Sequence, residues 1–378
     1  MAEKAAAGPV KVPFTHVTAD SKPIDRLILS EEQEKKYAEL LAQVKTWTEV
    51  PSTKDKGGPL TDDEKQWLTQ ECLLRFLRAV KWNLKDAEKR LIETLTWRRE
   101  FGVDELTADH ISPENETGKQ LILGWDKHGR TCQYLSPGRQ NTDVSPRQTQ
   151  HLVYMLERSL ELMPPGQEKV ALLINMKASK NRSNTAPGIS QGREVLSILQ
   201  THYPERLGRA LIINGKHPIQ DHVHLSKSRL IPMAVPFMVW GFFKLITPFI
   251  DPITREKIKY NEDMSQYVPK DQLWKEFGGE ADFEYDHATY WPALTKMCEE
   301  RRAERKEKWE LGGKHIGELE DYLAGGIPMG IAPPSAGPVD DSAQDGVDAA
   351  SLAEKLKELK VDEPPTVVLE ENKAEEAK

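Results

Sequence analysis

The chain has few cysteines, no surplus of positive charge, and no clean hydrophobic run long enough to read as a membrane span. Cys72, Cys132 and Cys298 are odd in number and far apart, so neither a disulfide framework nor a zinc ligand spacing is present, and a reducing cytosol is expected. The net charge is −8, and residues 340–378 alone hold 12 acidic residues against 5 lysines. The body is therefore nearly neutral, which argues against nucleic acid as a partner, since that needs a strongly basic face. The longest apolar stretch, Ile231 to Ile250 (IPMAVPFMVWGFFKLITPFI), is interrupted by Pro236, Lys244 and Pro248. It reads as an apolar helix that touches a bilayer rather than as a span. No signal-peptide core opens the chain. Gly-x-Ser-x-Gly, His-Glu-x-x-His, P-loop and Gly-rich dinucleotide patterns are all missing, so nothing points to an enzyme, a metal centre or a cofactor.

What the chain does have is Asp251-Pro252-Ile253-Thr254-Arg255-Glu256-Lys257 directly after the apolar run. Asp251 suits a helix N-cap and Pro252 the first helical position. Thr254 then falls in the first turn, and Lys257 lies three residues on along the same face. Free N–H groups, a hydroxyl and an ammonium together favour a phosphate. A phosphate site beside a greasy element suggests a phospholipid, although an ordinary capped helix with a solvated lysine accounts for the same residues.

Residues 1–28 read as extended, with Pro9, Pro13 and Pro23. Ser30 with Gln33 forms a capping box that opens a helix, and a Pro/Gly/Lys-rich loop follows from Pro51 to Pro59. Thr61 is expected to cap one helix carrying Leu73, Phe76, Leu77 and Val80, and Asn83 another carrying Ala87, Leu91, Leu95 and Trp97 to Gly102. Leu121–Trp125 and Thr131–Leu135 flank Asp126-Lys127-His128-Gly129 as a β-hairpin with Gly129 at positive φ. A helix is expected over 147–162, and another is capped by Ser190. The continuous apolar runs Val170–Ile174 and Arg209–Asn214 read as buried strands. Lys257–Tyr260 suggests a further strand, Lys270–Glu276 a short helix, and Tyr290–Trp309 a charged helix. From about Ala324 the composition is that of a disordered tail, apart from a short helix over Ala349–Leu359. Strands alternating with helices imply an α/β fold with a mixed, largely parallel sheet behind an all-helical module.

Leu73-Leu74-Arg75-Phe76-Leu77-Arg78-Ala79 with Lys81-Trp82 and Trp97-Arg98-Arg99 resembles the N-terminal helices of the CRAL-TRIO family. Asp126-x-x-Gly129-Arg130, Tyr203-Pro204-Glu205-Arg206-Leu207-Gly208, Pro248-Phe249-Ile250-Asp251-Pro252 and Lys275-Glu276-Phe277-Gly278-Gly279 follow in that family's order. The resemblance covers residues 60–285 and points to the fungal phosphatidylinositol-transfer branch. It implies a sheet and helices that enclose one phospholipid, under an apolar gate helix carrying Phe237, Trp240, Phe242 and Phe243. It also implies that Glu205, Thr254 and Lys257 contact the inositol phosphate. A neighbouring Arg206 or Arg209 is the competing partner for Glu205. The usual basic residue just before Lys81 is Val80 here, so that headgroup binding is expected to be weaker or to use another donor, with Lys81 the candidate.

A second departure concerns the counter-ligand. Hydroxyl positions that hold phosphatidylcholine in relatives become Gln133, Val170, Leu172 and Leu199. A buried zwitterion without partners costs several kcal/mol, so phosphatidylcholine is expected to be lost and a sterol is the candidate replacement, as in the family's subgroup linked to sterol balance. Val170 and Leu172 also suit an ordinary strand core.

Residues 215–234 (GKHPIQDHVHLSKSRLIPMA) interrupt an otherwise smooth passage from strand to gate. GGTAAG encodes Gly215-Lys216 as a splice donor would, and Leu230-Ile231 can contain a CTGAT branch point. A retained intron is expected, and a spliced transcript that keeps the segment would overturn this. A surface loop is the alternative; a metal loop built on His217, His222 and His224 lacks partner spacing.

The expected organisation is therefore an extended segment 1–28, a helical module 29–105, a lipid-binding domain 106–285, a charged helix 286–320 and an acidic tail 321–378. A monomer is expected, cytoplasmic and peripheral to endomembranes, lipid droplets or the plasma membrane. A scaffold that presents phosphatidylinositol to a phosphoinositide kinase without bulk transfer is the rival reading.

Overall fold

The computed structural model describes residues 8–19, 21–23, 28–177, 189–214 and 257–325. The gate segment, Thr254, residues 215–234 and the Ala349–Leu359 helix fall outside the described residues.

The helical module begins with α1 (Glu31–Val44), where Ser30 and Gln33 cap each other reciprocally. A two-stranded ribbon, β1 (Glu49–Val50) and β2 (Gly58–Pro59), follows. The single helix expected after Thr61 is two. In α2 (Asp62–Trp67), Thr61 and Glu64 form a capping box. Leu68 then leaves helical geometry, and Thr69 starts α3 (Gln70–Ala79) by accepting the Cys72 N–H on its hydroxyl. A threonine that satisfies the backbone itself breaks a helix at little cost. Helix α4 (Leu84–Phe101) runs from Asn83 to Gly102, whose φ of 77° ends it in a left-handed cap. The apolar faces of α1, α3 and α4 close on Leu40, Leu73, Phe76, Leu77, Leu91 and Leu95, all buried.

The second part is a five-stranded sheet in the order β3 (Gln120–Trp125), β4 (Thr131–Leu135), β5 (Val170–Asn175), β6 (Leu207–Ile213) and β7 (Ile258–Tyr260). β3 and β4 are antiparallel around Gly129 at φ 72°, and the other pairs are parallel. An unanticipated helix, α5 (Ala108–Asn115), precedes the sheet. Helix α6 (Pro146–Glu161) connects β4 to β5, and α7 (Ile189–His202) lies between β5 and β6. Ser190 falls inside α7 rather than capping it. Lys270–Glu276 is not a helix; only a 3-10 turn, Lys275–Phe277, forms, and it stops at Gly278 with φ 90°.

Helix α8 (His287–Leu311) packs Tyr290, Trp291, Leu294 and Cys298 into the main core, and α9 (Glu320–Leu323) closes the described chain. All three cysteines are buried and free. Among the described residues, no helix is long and apolar enough to cross a membrane.

Candidate functional site

Glu205 sits in the turn from α7 to β6 with φ 58°, a left-handed conformation that a non-glycine residue adopts at a cost of about 1 kcal/mol or more. Its neighbours fix the turn. The Tyr203 hydroxyl donates to Glu157 Oε1 at 2.6 Å, and Arg98 donates to the same oxygen at 2.8 Å. The Arg206 guanidinium donates to the Glu168 carbonyl at 2.9 Å, and the Arg206 carbonyl accepts the Val170 N–H at 2.8 Å.

The partner of Glu205 is neither Arg206 nor Arg209. Arg78 Nε, from α3, donates to Glu205 Oε2 at 2.6 Å, and the Glu205 side chain is only 10% exposed. Arg78 also reaches Glu168 at 3.2 Å. Burial alone would lower the Arg78 pKa, but Glu168 and Glu205 outweigh it and raise it. Burial would likewise raise Glu168, yet Arg78 and Arg75 hold it below the usual carboxylate range.

This pair is one end of a chain of charges. Arg75, one turn earlier on α3 and 3% exposed, bridges Glu168 and Glu320, each at 3.0 Å. Glu320 also accepts from the Thr69 hydroxyl at 2.9 Å and lies 3.7 Å from Arg206. The run Glu320–Arg75–Glu168–Arg78–Glu205 thus ties α9, the helical module and the strand edge to one carboxylate. Sequence reasoning assigned no role to Arg75 or Arg78. Their signal was two basic residues three apart on a helix whose other residues are almost all apolar.

More positive charge surrounds the turn. Arg90 Nε caps the end of α7 by donating to the Thr201 carbonyl at 2.9 Å; burial lowers its pKa, against the opposing pull of Glu205. Lys257 stands just before β7, where its carbonyl accepts the Ala210 N–H at 2.9 Å. Lys81 is exposed in the turn between α3 and α4 at φ 53°, and its side chain has no hydrogen bond or ion pair among the described residues. The structure therefore brings Arg78, rather than Lys81, to Glu205.

The four positions expected to face a counter-ligand share one region. Val170, Leu172 and Leu199 pack in one apolar cluster with Val153, Leu156, Ile198 and Tyr203. Gln133 on β4 is in register with Leu172 on β5. Its buried amide is satisfied internally, donating to Gln120 Oε1 at 3.1 Å and accepting from the Ser159 hydroxyl at 3.3 Å. No hydroxyl is contributed by any of the four. Among the described residues, no group of three or more His, Cys, Asp or Glu is placed to hold a metal ion.

A helical module followed by a mixed, largely parallel sheet, with the Tyr-Pro-Glu-Arg turn at its edge, is the arrangement of one domain family. The family model for the CRAL/TRIO domain matches residues 115–215 and 217–279, and that for the CRAL/TRIO N-terminal domain matches residues 36–93; the chain belongs to the CRAL/TRIO family. Over 317 residues it is 50% identical to a CRAL-TRIO domain-containing protein of Schizosaccharomyces pombe, covering 83% of this chain but 29% of that relative. It is 40% identical over 274 residues to phosphatidylinositol transfer protein PDR17 of Saccharomyces cerevisiae, covering 70% of this chain and 72% of that one. The SEC14 cytosolic factor of Kluyveromyces lactis is 29% identical over 241 residues, covering 58% and 73%.

Proposed function

We infer that the chain binds phosphatidylinositol and exchanges it between membranes, working in the cytoplasm at the surface of endomembranes, lipid droplets or the plasma membrane. The observation that carries this reading is the Glu205 turn: a held carboxylate paired with Arg78 and within the field of Arg90, at the edge of a sheet where Lys257 precedes the next strand and whose neighbouring face is an apolar cluster. Glu205 accepts from inositol hydroxyls, while Lys257 and Thr254 take the phosphate. The family membership and the 40% identity to a phosphatidylinositol transfer protein support the same reading.

No covalent step is needed. Each buried CH₂ is worth about 0.8 kcal/mol, but the lipid leaves one hydrocarbon environment for another, so this gross gain nearly cancels. The barrier is exposure of acyl chains to water during transit. Opening of the Val235–Ile250 segment, with Phe237, Trp240, Phe242 and Phe243, against a bilayer removes it, and the headgroup contacts select which lipid is held. The aliphatic side chains at Val170, Leu172 and Leu199 favour a sterol over phosphatidylcholine as counter-ligand. A phosphoinositide kinase is a further candidate partner; kinase stimulation with negligible transfer would identify the presenting scaffold instead.

The test is mass spectrometry of lipid extracted from the purified chain, with and without residues 215–234, beside transfer assays of Lys257→Ala. Phosphatidylinositol and sterol without phosphatidylcholine are expected, with selective loss of inositol-lipid transfer in the variant. Unchanged phosphatidylinositol transfer by Lys257→Ala removes the headgroup role, and bound phosphatidylcholine removes the sterol reading. A loaded deletion beside an empty full-length chain is the outcome that marks residues 215–234 as foreign to the working protein.

A further inference from the structure

Val80 leaves the headgroup site one cation short of the pattern the resemblance implies, and the exposed Lys81 does not fill the place. Arg78 is committed to Glu205 and Glu168. Lys169 is not committed. It immediately precedes β5, as Lys257 precedes β7, and Glu205 lies two residues before β6. Because β5, β6 and β7 are parallel neighbours, all three residues fall at the same edge of the sheet.

Along that edge Glu205 lies in the middle, with Lys169 on its β5 side and Lys257 on its β7 side. The Lys169 N–H donates to Gln167 Oε1 at 2.8 Å, and the N–H of the next residue, Val170, binds the Arg206 carbonyl, which fixes Lys169 against the turn that carries Glu205. On the adjoining strand, Gly208 supplies the room for its stem: a Cβ there would stand 3.0 Å from Lys169 Cβ and 2.5 Å from Arg130 Nε. The Lys169 side chain is half-buried, and its ammonium makes no hydrogen bond or ion pair among the described residues. Burial and the charge of Lys257 both lower its pKa, against the opposing pull of Glu205, so Lys169 senses both residues at once. A half-buried ammonium with no hydrogen-bonding partner of its own is unfavourable unless an anion joins it.

We propose that Lys169 is a ligand of the headgroup phosphate, flanking Glu205 on the side opposite Lys257 and supplying the positive charge that Val80 does not. This rests on the phosphatidylinositol reading above. The test uses the full chain and vesicles of phosphatidylinositol in phosphatidylcholine, with Lys169→Met, which keeps the stem, and Lys169→Arg, which keeps the charge. Lys169→Met is expected to lose about ten- to a hundredfold in phosphatidylinositol transfer, the range set by a lost charge-assisted hydrogen bond, with its unfolding midpoint unchanged. Lys169→Arg is expected to retain most of the transfer. Equal transfer by wild type and Lys169→Met overturns the proposal, as does a loss that tracks a lowered unfolding midpoint and is not rescued by arginine. A wild-type chain that transfers no phosphatidylinositol instead sinks the underlying reading, and the proposal with it.

Discussion

Arg75→Met isolates the energetics of the charge chain. The guanidinium is 3% exposed and lies 3.0 Å from both Glu168 and Glu320, whose side chains are 27% and 17% exposed. Methionine keeps the apolar stem and removes the charge, leaving two largely buried carboxylates. Removing one partner of a buried ion pair costs about 3–5 kcal/mol. The low end applies here, because both carboxylates keep some water and each retains a second arginine, Arg78 for Glu168 and Arg206 for Glu320. About 3 kcal/mol corresponds to a fall of roughly 4–6 °C in Tm for a chain of this size. The pH dependence has a fixed sign. Glu168 and Glu320 are both held below their ordinary 4.5, with burial opposed by Arg78 and Arg75 at the first and by Arg75 and Arg206 at the second. Their stabilisation is present above about 4.5 and is lost as pH falls through the lowered values. The deficit of Arg75→Met should therefore be full at pH 7 and shrink below pH 4.5. Thermal unfolding followed by circular dichroism at pH 7 and pH 4 reads both quantities. A deficit under about 1 kcal/mol at pH 7, or one that grows on acidification, would refute the reasoning.

Two further perturbations follow from the same structure. Burial and the charge of Glu320 raise Glu71 to about 7, whereas the unfolded chain ionises it near 4.5; wild type thus loses stability as pH rises between these values. Glu71→Gln should match wild type at pH 4 and exceed it by up to ~3 kcal/mol at pH 8 in urea unfolding, and an identical pH response of the two chains would rule this out. At Gly279, an added Cβ would stand 1.8 Å from the carbonyl oxygen of the buried Leu273. Gly279→Ala must move backbone and should lower stability by about 2 kcal/mol or more; an unchanged urea midpoint would contradict that packing.

The parts of this fold that could be read in the sequence are those decided within a few residues. Ser30, Asn83 and Gly102 mark helix ends because a cap binds its own first or last turn. The Asp126–Gly129 turn and the apolar run Val170–Ile174 are equally local in origin. The break at Thr69 is not, because its hydroxyl serves both the Cys72 N–H and Glu320, far along the chain. The partner of Glu205 was missed for the same reason. Arg206 and Arg209 are near in sequence, but Arg206 turns to the Glu168 carbonyl and Arg209 lies over the Tyr267 ring, 4.1 Å from its centroid. Arg78, 127 positions earlier, is delivered only when the helical module docks. Motif order located the candidate site, and tertiary assembly decided which charges face each other.

The reach of α8 and α9 bears on what can be inherited or cut independently. The family match ends at residue 279, yet the Tyr290 hydroxyl accepts the Ile122 N–H at 2.7 Å and donates to the Ile122 carbonyl at 2.8 Å. Glu320 supplies the far anchor of Arg75. At the other end, Val10 exchanges backbone hydrogen bonds with Asp282 and Glu284, at 2.7 and 3.0 Å. A chain trimmed to the shared domain would leave unpaired groups on β3 and α3 and would loosen the arginines that hold Glu205. The segments flanking the family span are thus part of its folding unit, and a substitution in α9 reaches the Glu205 turn through four salt bridges.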